Sequence, residues 1–160
     1  LLRPGRRLAV DVGKARIGLA ITDVHAILAS PLATVARSAE IQVSIDEVLA
    51  HAAEQSELLE IYVGVPVNLQ GLVTESTKDA VEFAEQLGAS TAIEVLLVDE
   101  RMTTSMANSQ LLEIGKSQKS ARSTIDQMAA VAILEYALTV ERNSSQRPGL
   151  TVSQWREKYE

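Results

Sequence analysis

The chain has 160 residues, 46% of them hydrophobic and 22% charged, a balance that suits one globular domain with a full core. It contains no cysteine, which excludes disulfides, thiolate metal sites and cysteine nucleophiles. Its net charge of −6 argues against nucleic-acid binding by bulk charge alone, while leaving room for a local basic patch.

The opening "LLRPGRR" lacks the apolar core of a signal peptide. No later stretch is apolar for long enough to span a membrane, so a cytoplasmic protein without a membrane partner is expected. The first strand is predicted at "RRLAVDV" (Arg6–Val12). "GKA" reads as a hairpin turn into a second strand, "RIGLAITD" (Arg16–Asp23), where Ile17, Leu19 and Ile21 alternate. A weaker strand, "LATVAR" (Leu32–Arg37), follows Pro31. Ile41, Ile45, Val48, Leu49 and Ala52 then recur at helical spacing. "IYVGV" (Ile61–Val65) reads as a buried strand, and Val81, Ala84, Glu85 and Leu87 mark a second helix. "IEVLLV" (Ile93–Val98) is the last strand. A helix is expected from Thr103 to about Ile114, stopped by Gly115, and another from Ser123 to about Glu141. Three strands close together, followed by strands alternating with helices, predict an α/β fold. Its five-stranded sheet is mixed, antiparallel first and parallel later, with helices on its faces. One domain over 1–142 is expected, with 143–160 as a polar, flexible tail.

Four segments carry residues suited to chemistry. Asp11 closes an apolar run, and Gly13 and Gly18 leave room for close approach. By itself Asp11 is compatible with capping a turn, holding a metal or facing a nucleotide phosphate. "GVPVNLQG" (Gly64 to Gly71, with Asn68) follows a strand's carboxyl end, where open α/β sheets bind ligands, yet it also reads as an ordinary Pro/Asn/Gly turn. "VDERMTT" ends a strand on Asp99 and Glu100. Neighbours on a strand face opposite ways, so only one of the two shares Asp11's site. Thr103 or Thr104 suits a helix cap. Asp126 fits a Ser123-x-x-Asp126 capping box, but it also shares a helix face with Ala129, Ala130 and Ile133, small enough to lie close on a sheet. Three carboxylates without a histidine or cysteine partner suit a hard divalent cation. His25 and His51 are not spaced as a metal pair.

Together, "DVGKARIGLAITD", "VGVPVNLQG", "DERMTT" and "STIDQMAAVAIL" closely resemble the YqgF family, also called RuvX, over about Arg7 to Leu138. The resemblance implies a ribonuclease H-like three-layer fold related to RuvC-type Holliday junction resolvases. It implies a cytoplasmic hydrolase, a nuclease that processes the 5′ end of precursor 16S rRNA in ribosome biogenesis; some members have been assigned to junction cleavage instead. The family's acidic positions fall on Asp11, Glu100 and Asp126, with the Asp of "DER" on Asp99, ranked below Glu100. Arg16, Gly18, Asn68, Gly71, Arg101 and Thr103 match other motif positions. Gln70 stands where many members carry an acidic residue, which weakens a fourth ligand from that loop.

On this reading Asp11, Glu100 and Asp126 hold one or two Mg²⁺ or Mn²⁺ ions. Lys14, Arg16, Asn68, Arg101, Lys116, Lys119 and Arg122 contact the nucleic acid, a structured RNA precursor or branched DNA. Ribosome-assembly partners and a monomer or weak homodimer are expected. Two rivals remain. The first segment also resembles the phosphate motif of actin and sugar-kinase ATPases, but those bury nucleotide between two such domains. A non-catalytic nucleic-acid-binding module is disfavoured as well, because aromatics are only 3% of the chain, few for a base-stacking platform.

Overall fold

A computed structural model of the chain describes residues 2–68, 70–100 and 118–160, with the side chains of 118–123 excepted. The period-2 pattern of the first strand decides the architecture. In β1 (Arg6–Val12), Leu8 and Val10 enter one core cluster and Ala9 enters another on the opposite face. A strand buried on both sides belongs in the middle of a sheet. The five strands β1, β2 (Arg16–Thr22), β3 (Ala29–Ala36), β4 (Leu58–Val65) and β5 (Glu94–Asp99) accordingly lie in the order β3-β2-β1-β4-β5. β1–β2 and β2–β3 pair antiparallel, and β1–β4 and β4–β5 pair parallel, which makes the expected mixed sheet.

Helices cover both faces. α1 (Ile41–Ala53) and α2 (Glu75–Ala89) place Ile45, Val48, Val81, Phe83 and Leu87 against Leu8, Val10 and Val63. α3 (Gln118–Ser144) lays Ala130, Ile133, Leu134 and Ala137 on Ala9, Ala20, Tyr62 and Leu96. The helix expected at Thr103–Ile114 lies outside the described residues. β3 begins before the predicted Leu32 and runs through Pro31. An edge strand tolerates a residue without an N–H, and the register with β2 shifts between Leu19 and Ala20 opposite it.

The flexible tail expected at 143–160 requires correction. Leu150 exchanges both backbone hydrogen bonds with Leu97 (2.6 and 2.9 Å), closing off the outer edge of β5. Gly149 has φ +88°, and a side chain there would meet the Leu97 carbonyl oxygen. A final helix, α4 (Val152–Tyr159), starts on a Thr151–Gln154 capping box. It buries Trp155 to 6% exposure and stacks it on Tyr159 at 4.7 Å. The tail reads as polar because one aromatic pair and one strand bridge, rather than an apolar stripe, hold it down.

At the other end of the sheet, fully buried Arg7 pairs with Glu141 (2.9 Å), and Arg3 bridges Glu60 and Glu141 at 2.7 Å each. This network ties the N-terminal strand, β4 and the end of α3 together.

Candidate active site

Asp11 sits opposite Gly18 in the β1–β2 register, on the sheet face that α3 covers. A side chain at Gly18 would strike the backbone oxygen and carbonyl carbon of Asp126 and stand 2.9 Å from the amide nitrogen of Gln127. Gly18 therefore lets α3 lie directly on β2 and brings Asp126 to the strand that pairs with Asp11. Gly64 does the same on β4, where its bare Cα makes room for Ile133 and for the Glu100 carboxyl, 3.3 Å from where a Cβ would stand. Both glycines have negative φ, so close approach rather than backbone freedom explains them.

The carboxylates respond to one another. Glu100 and Asp11 share a hydrogen bond, with Glu100 donating. Burial, that bond and the charges of Asp11 and Asp99 push the Glu100 carboxyl up to about 10. Burial also raises Asp11; the bond from Glu100 opposes this and the Asp126 charge adds to it. Two carboxyls sharing one proton, with a third charge close by, is an arrangement that excess negative charge imposes. Asp126 accepts a 2.7 Å bond from Arg16 Nε. Asp99 has the parity of Leu97 and Val95, in the core cluster on the far face of the sheet, whereas Glu100 has that of Val98 and Leu96.

The three carboxylates offer only oxygen donors and too much charge for their surroundings, which fits a hard divalent cation. Among the described residues no three Asp, Glu or His groups stand together as a formed ion cage. Asp126 is bonded to Arg16 instead.

Other expected residues take different places. Gly13 donates to the Arg16 carbonyl (2.9 Å) and closes the hairpin turn, leaving Lys14 exposed at its tip. Arg16 pairs with Asp126, its side chain 38% exposed. The Asn68 carbonyl Oδ1 accepts from the Gln70 and Leu72 amides, and Gly71 has φ +78°, so this segment forms a self-bonded loop. Lys119 and Arg122 lie in the first turns of α3. Arg101, Thr103 and Lys116 lie outside the described residues.

Sequence reading missed Arg37. It donates to the Gly13 carbonyl (3.0 Å), forks onto Asp79 (2.6 and 2.8 Å) and lies over Phe83. It thus bolts the turn that follows Asp11 to α2. No local pattern announces such a contact.

The family model described as RuvX, Holliday junction resolvase, matches residues 5–140. A protein of Clavibacter sepedonicus that carries the provisional name pre-16S rRNA nuclease is 46% identical over 151 residues, covering 94% of this chain and 93% of its own. A Streptomyces avermitilis protein with the same provisional name is 43% identical over 150 residues, covering 92% and 94%. Among solved structures, T. thermophilus RuvC in complex with a Holliday junction substrate superposes with a TM-score of 0.56 at 13% identity, covering 90% of this chain and 99% of that one. At that identity the likeness concerns the ribonuclease H-like fold alone. With the model spanning most of its length and relatives matching nearly end to end, the chain belongs to the RuvX family.

Proposed function

We propose that this protein is a divalent-metal-dependent endonuclease of the cytoplasm that trims the 5′ end of precursor 16S rRNA. The observation that carries the chemistry is the hydrogen-bonded Asp11–Glu100 carboxyl pair, with Asp126 near enough for its charge to act on Asp11. The substrate reading rests on the names of the relatives.

Asp11, Glu100 and Asp126 would hold Mg²⁺ or Mn²⁺, with Asp99 ranked after them as a further ligand. A cation there supplies water activation and charge neutralisation at the phosphorus. The chain's own residues do the rest. To serve as a ligand, Glu100 would release to solvent the proton with which it bonds to Asp11. Asp126 would be shared between the ion and Arg16, whose partly exposed guanidinium would neutralise the non-bridging phosphate oxygens. Arg37 keeps the Gly13 turn fixed so that Lys14 meets the same backbone. Lys119 and Arg122 hold flanking phosphates.

A second reading, cleavage of four-way DNA junctions, is favoured by the description of the family model. Offering precursor 16S rRNA and a four-way junction to the wild-type protein with Mg²⁺ or Mn²⁺ separates the two. Metal-dependent cutting of the RNA at its 5′ end is expected. Cutting of the junction alone would replace the RNA reading with the resolvase one.

A further inference from the structure

The chain has five aromatic side chains, and three of them, Tyr136, Trp155 and Tyr159, line one cavity of about 170 Å³. Asp99 and Lys158 complete its polar wall, and Val65 and Leu150 supply apolar wall from the end of β4 and from the tail. An apolar cavity of about 150 Å³ accepts a benzene ring, so this one is of a size for a single flat heterocycle.

The cavity is built rather than left over. The Leu97–Leu150 bridge and Gly149, whose backbone presses on Leu97, fix its floor, and the stacked Trp155–Tyr159 pair fixes one side. Most of that tail lies beyond the residues that the family model matches. Asp99 lines the cavity while its neighbour Glu100 bonds to Asp11, so the cavity wall and the carboxylate pair are adjacent along the chain.

We propose that this cavity is a subsite for one unpaired nucleobase of the strand whose phosphate lies at Asp11 and Glu100. The aromatic rings give a base its stacking surface. The Asp99 carboxylate, with several acceptor positions, takes an N–H from the base edge, and the exposed Lys158 ammonium faces the accompanying phosphate. Low aromatic content overall argued against a stacking platform; the fold collects three of the five aromatics at one place. The proposal deepens the nuclease reading and rests on it for the identity of the strand.

Trp155 is the chain's single tryptophan and lines this cavity and a neighbouring one beside α2, so its fluorescence needs no cleavage, and Tyr136 and Lys158, which line only this cavity, assign the response to it. The experiment titrates full-length protein, without metal, with the four 5′-nucleoside monophosphates and with ribose 5-phosphate. Saturable change in Trp155 emission with the nucleotides, and none with ribose 5-phosphate at equal concentration, is expected. Tyr136→Leu should weaken the nucleotide response about 5-fold or more, the low end of what base–aromatic stacking contributes. Lys158→Ala, a surface change that leaves the core intact, should weaken it as well. Equal response to ribose 5-phosphate, no response, or a response indifferent to both substitutions would overturn the subsite. Cleavage by a protein whose Trp155 does not respond would remove this proposal alone. A response from a protein that never cleaves would remove the nuclease reading and leave the base site standing.

Discussion

Gly18→Ala and Gly88→Ala are the same chemical change, and the structure gives them opposite signs. At Gly18 the new methyl meets the Asp126 carbonyl and, at 2.9 Å, the Gln127 amide nitrogen, all backbone atoms of a packed helix that no rotamer change can clear. Overpacking a filled core costs about 1–3 kcal/mol, and a backbone obstacle places this case at the upper end. Restricting the unfolded chain returns about 0.4–1 kcal/mol, leaving a net loss of roughly 2 kcal/mol. For a domain of this size that lowers Tm by about 4–8 °C. Because relief requires α3 to lift from β2, Asp126 moves away from Asp11 and activity falls with stability. At Gly88, on an exposed position of α2, the nearest atoms stand 3.9 Å from the new methyl. There alanine should gain about 0.5–1 kcal/mol from helix propensity, with activity unchanged. Urea unfolding of the three proteins, with a cleavage assay alongside, reads both effects. A Gly18→Ala protein as stable and active as wild type would refute the claim that direct helix–strand contact positions Asp126.

Three further outcomes follow from the charged groups. Glu141→Ala leaves fully buried Arg7 without its carboxylate and should cost about 3–5 kcal/mol in urea unfolding, far more than loss of the exposed Glu85–Arg156 pair in Glu85→Ala. The hydrogen bond from Arg37 holds the Asp79 carboxyl below the ordinary range, with burial opposing and the Arg37 and Lys14 charges assisting. A depressed folded pKa means that this stabilisation is full above the unfolded value of about 3.9 and is lost as pH falls through the lower folded one. Wild type should therefore lose stability more steeply below pH ~4 than Asp79→Asn, as urea midpoints across that range would show; parallel curves would contradict it. Without metal at neutral pH, Asp11→Asn removes a crowded charge and should leave Tm equal or higher, and added Mn²⁺ should raise the wild-type Tm but not the variant's.

The sheet was legible because its signals are local. Alternation in Arg16–Thr22 and the buried runs before Val65 and Asp99 each mark a strand within a few residues. The same period-2 rule ranks Glu100 above Asp99 as a partner for Asp11, and Glu100 is the one that bonds to it. What stayed hidden joins distant residues. Arg16 finds Asp126 across 110 positions and Arg7 finds Glu141 across 134, and no motif links either pair. Arg16 thus read as a phosphate ligand when its first partner is a carboxylate. The tail was misread for another reason. Its capping residues Thr151 and Gln154 and the lone Trp155 were visible, but a hydrophilic stretch gives no periodicity to set against its charge.

The central claim is that Asp11, Glu100 and Asp126 serve one metal-dependent hydrolysis. It is tested most directly by precursor 16S rRNA cleavage with wild type and Asp11→Asn, each with Mg²⁺ or Mn²⁺ and with a chelator. The account predicts cutting by wild type with metal only, and none by a folded Asp11→Asn protein. Undiminished metal-dependent cutting by Asp11→Asn, or cutting by wild type with the chelator present, would contradict it.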